Sequence, residues 1–119
     1  MEKPHKRLLA WQKSMKLVVD VYELTRGFPR EEIYGLTSQI RRASVSVPSN
    51  ISEGAAGRSV LQFQNFLSVA LGSLNEISTQ LEIAYRVGYL DKRKLNEVER
   101  TVDECLALTY GLRKSLKEK

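Results

Sequence analysis

The chain has 119 residues with a hydrophobic content of 42%, which suits one globular domain over residues 1–119. Seven glycines and three prolines are too few for a disordered or loop-rich chain. The formal net charge of +5 favours an anionic partner. No apolar run approaches the ~20 residues that span a bilayer, so we expect no membrane association. A single cysteine excludes an intrachain disulfide and fits a reducing compartment, so we expect a cytoplasmic location.

Apolar residues recur at steps of three and four in four long segments, which is the period of an α-helix. The first predicted helix runs from about Pro4 to Arg26, and Gly27 ends it. It carries two adjacent stripes, which are Leu8, Trp11, Met15, Val18, Tyr22 and Thr25 on one side and Leu17, Val21 and Leu24 on the other. Leu106, Leu108 and Tyr110 add apolar surface beside the main stripe of the fourth segment. Because this exceeds what a four-helix core needs, we expect a partner surface.

The second predicted helix contains Pro48, which lacks a backbone donor and crowds the carbonyl of Ser44. The apolar spacing stays in phase across the proline, which favours a continuous helix with a kink. The alternative is a break, followed by a new helix that Asn50 caps and Glu53 closes. The glycines of the GAAGR run, from Gly54 to Arg58, are interpreted as the end of this helix.

The third and fourth predicted helices each begin at a good capping residue. Ser59 is expected to cap a helix that runs to about Val87, where Gly88 ends it, and Asp91 is expected to cap the last helix. Four helices with short connectors predict an all-α, antiparallel up-down-up-down four-helix bundle with a proline-kinked second helix.

Polar side chains form a further stripe beside the apolar positions of the second and third helices. These residues are Arg42, Ser46, Asn50, Glu53, Ser73, Glu76 and Gln80. Most are short or carry amides, which suits a fixed hydrogen-bond network better than a solvated surface. We interpret them as a structural polar network that fixes helix register or lines a subunit interface. A ligand pocket and a solvated face are the alternatives.

The sequence contains no constellation of catalytic or metal-binding residues. His5 is the only histidine, and Cys105, the only cysteine, lies on a core stripe. Neither belongs to a nucleophile–base set, and the Glu-x-x-His pairs of di-iron bundles are missing. The GAAGR run lacks the Lys-Ser/Thr of a phosphate-binding loop. We therefore expect no enzyme activity, no cofactor and no metal.

Basic residues are concentrated at the end of the predicted bundle that holds both termini. They are Lys3, Lys6, Arg7, Arg58, Arg113, Lys114, Lys117 and Lys119, opposed nearby by Glu2, Glu53 and Glu118. This end is the candidate nucleic-acid-binding surface, through contacts to the phosphate backbone. The alternative is a solvated basic tail that aids solubility.

A secondary basic cluster, formed by Lys92, Arg93 and Lys94, begins the fourth helix and opposes its macrodipole. It is either an anion site or a solvated basic turn.

The run GLTSQIRRASVSVPSNISEG, from Gly35 to Gly54, resembles the signature of the four-helix bundle proteins associated with intervening sequences in bacterial 23S ribosomal RNA. The run FLSVALGSLNEISTQLEIAYRVGYL resembles the third helix of that family, and the resemblance covers nearly the whole chain. Val47 and Ser52 stand where the family usually has Ile and Ala. Related accessory variability proteins of diversity-generating retroelements form pentamers and bind nucleic acid and a reverse transcriptase. The resemblance implies a homo-oligomer, expected to be a pentamer, and no established activity.

Two functions are open at this point. The first is a non-catalytic, oligomeric bundle that binds the phosphate backbone of RNA or DNA. The second is a protein-interaction adaptor or scaffold that docks a partner enzyme such as a reverse transcriptase. Salt-sensitive binding to nucleic acid distinguishes the first from the second.

Overall fold

The computed structural model describes residues 3–116, which contain six helical elements and no strand. A short 3-10 helix, Pro4–Arg7, precedes α1 (Leu9–Thr25), and a second short 3-10 helix, Arg30–Glu32, precedes α2 (Leu36–Ala56). The chain continues with α3 (Val60–Arg86) and α4 (Lys92–Ser115). None of the helices in the described part of the chain combines the length and hydropathy needed to cross a bilayer. The predicted all-α fold is confirmed.

The four long helices form a bundle that measures 50 × 23 × 22 Å. Each helix packs against the next one in the sequence, and α4 closes the bundle by packing against α1. Because short connectors join neighbouring helices, successive helices run in opposite directions, as predicted. The start of α1, the connector between α2 and α3, and the end of α4 therefore share one end of the bundle.

A single continuous cluster of buried aliphatic side chains holds the four helices together. Its fully buried members include Leu17, Val21, Ile40, Val47, Ile51, Leu67, Leu74, Ile77, Leu81 and Val102. Those from α2 and α3 recur at multiples of the helical period, as Ile40, Val47 and Ile51 do in α2, so the apolar spacing of the sequence marks the core face.

The start of α1 differs from the prediction. The helix begins at Leu9 and not at Pro4, because Leu8 has an extended backbone conformation with φ −75° and ψ 127°. The preceding 3-10 helix ends at Arg7 and is capped by Leu8, whose backbone amide donates to the carbonyl of His5 at 3.0 Å. The first basic residues of the chain therefore lie on a separate short helix.

The buried face of α1 is formed mainly by the smaller of its two predicted stripes. Leu17 and Val21, from the smaller stripe, are fully buried, whereas Met15 is 40% exposed and Tyr22 is 38% exposed. Trp11 is partly buried against the core. The larger stripe thus lies at the edge of the core, where it leaves apolar surface uncovered.

The second helix continues through Pro48, which is buried. The alternative of a break with a new cap at Asn50 is wrong, because Asn50 lies inside the helix and its side-chain amide donates to the Ser46 carbonyl at 2.8 Å. Leu106, Leu108 and Tyr110 of α4 were expected to add exposed apolar surface. Tyr110 is 48% exposed, but Leu106 and Leu108 are partly buried against the core.

The helix α2 ends within the Gly54-to-Arg58 run, as interpreted, but Gly54 itself is not its end. It is a buried residue inside the helix, and a Cβ at this position would lie 2.7 Å from the ring of Phe63. The glycine is needed because α3 packs closely at this point. Gly57 follows the last helical residue and ends α2, as expected.

The predicted caps of α3 and α4 are confirmed. The Ser59 hydroxyl accepts from the Gln62 amide at 3.1 Å, and Asp91 Oδ1 accepts from the Lys94 amide at 2.8 Å. Gly88, with φ +87°, ends α3 in the left-handed conformation that glycine favours. The two N-terminal caps determine where α3 and α4 begin, and therefore where the short connectors before them end.

Candidate nucleic-acid interface

We define the terminal basic surface as Lys3, Lys6, Arg7, Arg58, Arg113 and Lys114. Lys3 and the first 3-10 helix supply three of these residues, and that helix packs against both α1 and α2. Arg58 lies in the connector between α2 and α3, and Arg113 and Lys114 lie in the last turn of α4. The bundle topology therefore brings the six residues to one end. Lys117 and Lys119, also predicted for this surface, lie outside the described residues, as do Glu2 and Glu118.

Carboxylates are scarce at this end of the bundle. In the described segments that form it, residues 3–9, 50–65 and 108–116, Glu53 is the only acidic residue. All members of the terminal basic surface except Arg113 are exposed. The local charge is therefore strongly positive, and the side chains lie where a polyanion can reach them.

Arg113 is held in a fixed orientation by its neighbours. Its Nη1 donates to the Ser68 hydroxyl at 3.1 Å, and its guanidinium lies 5.1 Å from the centroid of the Tyr110 ring. A second contact at the same end joins α3 to α4, since Gln64 Nε2 donates to the Leu116 carbonyl at 3.1 Å. These contacts order the end of α4 against the start of α3.

The secondary basic cluster at the opposite end is partly engaged in local contacts. Lys92 Nζ lies 5.0 Å from the centroid of the Tyr85 ring, and Lys94 Nζ lies 3.7 Å from Glu97 Oε2. Arg93 is exposed. Since Asp91 also caps this helix start, the local excess of positive charge is smaller than at the terminal basic surface.

The polar stripes of α2 and α3 meet at a hydroxyl pair. The Ser46 and Ser73 hydroxyl oxygens lie 2.8 Å apart, so one donates to the other across the two helices. Asn50 Nδ2 donates to the same Ser46 hydroxyl at 3.0 Å. These three residues form one connected hydrogen-bonded group across α2 and α3.

The other members of the predicted polar network are not joined to this group. Gln80 Nε2 donates to Glu76 Oε2 at 3.1 Å, so these two residues form a separate pair on α3. Gln80 is only 5% exposed, and its Oε1 has no hydrogen-bond partner in the described part of the chain. Arg42 and Glu53 are exposed and, within residues 3–116, form no hydrogen bond with the network.

A groove of about 500 Å³ runs between α2 and α3 beside the hydroxyl pair. We call it the polar groove; it is lined by Tyr34, Ser38, Gln39, Arg42, Ala43, Ser46, Ser73 and Glu76. Four of these residues belong to the predicted polar network, whereas Tyr34, which is 95% exposed, does not. Tyr34 precedes α2, so no helical periodicity marks it. The polar residues therefore line a shared open surface as well as forming local hydrogen bonds.

A second groove, the apolar groove, lies between α1 and α2 and has a volume of about 350 Å³. Its apolar lining consists of Trp11, Met15, Val18, Val45 and Pro48, and His5, Ser49 and Ser52 complete it. The His5 and Trp11 rings meet edge to face with centroids 5.0 Å apart. The residues of the larger α1 stripe thus face an open groove next to the buried proline.

The remaining reactive side chains offer little chemistry. Cys105 is buried, and desolvation raises the pKa of its thiol to about 12, so the thiolate needed for nucleophilic attack is scarce at neutral pH. Burial also raises the pKa of Glu99, whose carboxylate accepts from the Ser78 hydroxyl at 3.1 Å. Within residues 3–116, no three metal-ligating side chains are grouped together.

A structure comparison and a family-model comparison give consistent results. A crystal structure of a protein of unknown function from the S23 ribosomal protein family of Bacteroides thetaiotaomicron VPI-5482 is similar to this chain, with a TM-score of 0.83 and 25% sequence identity. The similarity covers 90% of this chain and 96% of that one. No match was found among curated proteins. The family model described as 23S rRNA-intervening sequence protein matches residues 6–111. The chain therefore belongs to the 23S rRNA-intervening sequence protein family.

Proposed function

We propose that this protein is a non-catalytic, cytoplasmic, homo-oligomeric bundle that binds the phosphate backbone of RNA or DNA through its terminal basic surface. The observation that carries the proposal is the imbalance of charge at that end. Six basic residues lie in described segments where Glu53 is the only acidic one. Phosphate contacts of this kind supply affinity without sequence selectivity.

Exposure of the basic side chains supports this surface over the secondary cluster. Lys3, Lys6 and Arg58 are exposed on separate elements of one end, so a backbone that crosses it meets several cations. At the other end, Lys92 and Lys94 already contact Tyr85 and Glu97. The Glu97 carboxylate therefore competes with a polyanion for Lys94.

The homo-oligomer, expected to be a pentamer, is supported by uncovered apolar surface on α1 and α2. Val19 is 53% exposed, Met15 is 40% exposed and Val45 is 41% exposed. The last two also line the apolar groove. Apolar surface that is continuous over two helices is typical of a protein–protein contact. Subunits set side by side in one direction would join their terminal basic surfaces into one larger basic face.

The adaptor hypothesis rests on the same apolar surface, with a different protein as its occupant. It predicts capture of a protein partner that persists at high salt, because burial of apolar surface is little affected by screening. Binding to nucleic acid predicts the opposite salt dependence.

The test is a titration of RNA and of duplex DNA over a range of salt concentrations. The double variant Arg58→Glu and Lys114→Glu should bind more weakly, and the slope of log K against log salt should fall by about one for each lost phosphate contact. The matched control, Lys92→Glu with Arg93→Glu, reverses the same number of charges at the other end and should retain the slope. An unchanged slope in the first variant would exclude the terminal basic surface as the site.

A further inference from the structure

We propose that the polar groove binds one unpaired nucleotide of a single-stranded nucleic acid, with guanine as the preferred base. This inference rests on the proposed function and adds a base-selective contact to the unselective phosphate contacts of the terminal basic surface. Proteins commonly recognise single-stranded nucleic acid by stacking an unpaired base on an aromatic ring and by binding its edge with polar side chains.

The hydroxyl pair fixes which residues of α2 and α3 face each other across the groove. Arg42 lies four residues before Ser46, and Glu76 lies three residues after Ser73. Because α2 and α3 are antiparallel, both residues lie on the same side of the pair, displaced by about 6 Å and 4.5 Å along the helices. A cation and a carboxylate thus line opposite walls of one groove at a similar level.

These opposite charges are available for a ligand. Arg42 forms no hydrogen bond, ion pair or cation–π contact with any residue from 3 to 116. Its neighbour Arg41 differs, since its Nε donates to the Thr25 hydroxyl at 2.7 Å and its guanidinium lies 4.7 Å from the Tyr22 ring centroid. Arg41 is thus used to join α1 to α2, whereas Arg42 is free to bind a phosphate.

Tyr34 supplies the stacking surface at one end of the groove. It is 95% exposed and makes no hydrogen bond or ring contact within the described part of the chain. Stacking of a base on an aromatic ring contributes about 1–3 kcal/mol. From Ser38 to Ser46 the groove extends about 12 Å along α2, which accommodates a single nucleotide.

Glu76 provides the preference for guanine. The guanine edge presents two adjacent N–H donors, which match the two acceptor oxygens of a carboxylate. Adenine, cytosine and uracil each place an acceptor next to their donor. Gln80 donates to Glu76 Oε2 at 3.1 Å, so a buried side chain orients the carboxylate. Within residues 3–116, Glu76 Oε1 accepts no hydrogen bond, and Oε2 can accept a second one.

The first part of the test measures base preference directly. Calorimetry with GMP, AMP, CMP and UMP should show the tightest binding for GMP. An octauridylate RNA carrying one central guanosine should bind at least about fivefold more tightly than plain octauridylate. Glu76→Gln should abolish this difference, and Tyr34→Ala should weaken GMP binding by about fivefold or more. Glu23→Gln is the matched control, since Glu23 is exposed on α1 outside the groove, and it should retain the preference.

The outcomes separate this inference from the proposed function. Salt-dependent binding of both RNAs with equal affinity, and no preference for GMP, would overturn the groove assignment and leave the terminal basic surface intact. GMP binding that Tyr34→Ala weakens, without binding of either RNA, would support a guanine-nucleotide site in the groove but contradict both its use on single-stranded nucleic acid and the proposed function. A change of oligomeric mass in Tyr34→Ala would identify the groove as a subunit contact and overturn the assignment.

Discussion

The Tyr89 hydroxyl donates a 2.7 Å hydrogen bond to Glu32 Oε2 and thereby joins the connector after α3 to the connector before α2. Glu32 Oε1 accepts from the Leu36 amide at 3.0 Å, so the same carboxylate caps α2. The bond from Tyr89, followed by the bond from Leu36, lowers the pKa of Glu32 below its ordinary value of 4.5. The bond to Glu32 raises the pKa of Tyr89 above 10.

This contact predicts a pH-dependent contribution of Glu32 to stability. A lowered pKa in the folded state means that the stabilisation is present above the ordinary pKa of 4.5 and is lost as the pH falls through the lower, folded value. Glu32→Gln should therefore be less stable than the natural chain at neutral pH and equally stable in strong acid. Urea unfolding between about pH 2 and pH 7 measures the difference.

The control for this experiment is Tyr89→Phe, which removes one hydrogen bond to Glu32 and leaves the cap on Leu36. The difference in stability between Tyr89→Phe and the natural chain should vary less with pH than the difference between Glu32→Gln and the natural chain. A stability difference between Glu32→Gln and the natural chain that stays constant with pH would contradict the assigned role.

Two helical glycines should respond to alanine in opposite directions. A Cβ at Gly72 meets no atom within 4 Å, so Gly72→Ala should stabilise α3 by about 0.5–1 kcal/mol through reduced backbone entropy. A Cβ at Gly54 would lie 2.7 Å from the Phe63 ring and 3.0 Å from Phe66 Cβ, so Gly54→Ala should destabilise the bundle by about 1–3 kcal/mol. Chemical denaturation of the two variants side by side is the measurement. Destabilisation by Gly72→Ala would mean that another chain packs closely against α3.

Replacing Pro48 should separate stability from assembly. Alanine restores a backbone donor inside α2, and proline in a helix interior costs about 3 kcal/mol relative to alanine. Loss of the buried ring offsets part of this gain, at about 0.8 kcal/mol for each buried methylene. Pro48→Ala should therefore have a neutral or higher Tm but weaker assembly, because Pro48 lines the apolar groove.

Circular dichroism and light scattering measure the two effects of Pro48→Ala. Pro29→Ala, in the connector between α1 and α2, is the control for losing a proline outside a helix. It should leave the oligomeric mass unchanged. The same unchanged mass in Pro48→Ala would contradict a role of this residue in assembly.

Features that depend on nearby residues could be predicted from the sequence. Ser59 and Asp91 cap their helices through residues three positions away, so the local pattern was sufficient. The core faces of α2, α3 and α4 follow a single apolar stripe each. The in-phase spacing around Pro48 correctly predicted that α2 continues through the proline.

Features that depend on packing between helices could not be predicted. The two adjacent stripes on α1 gave two possible core faces. Packing against α2 and α4 buries the face that carries Leu17 and Val21. Gly54 was interpreted as part of a helix end because glycines commonly end helices. Its close approach to Phe63 on α3 is a contact between helices, which the local sequence does not show. Tyr34 joins the polar groove only through the turn that precedes α2, which has no periodic signal.

The most direct test of nucleic-acid binding by an assembled bundle is the solution mass with and without RNA, measured by light scattering at micromolar protein concentration. The protein alone should have five times the chain mass of 13.6 kDa. Added RNA should raise this mass at low salt, and high salt should reverse the increase. A mass of 13.6 kDa that RNA does not change at low salt would contradict both the assembly and the binding.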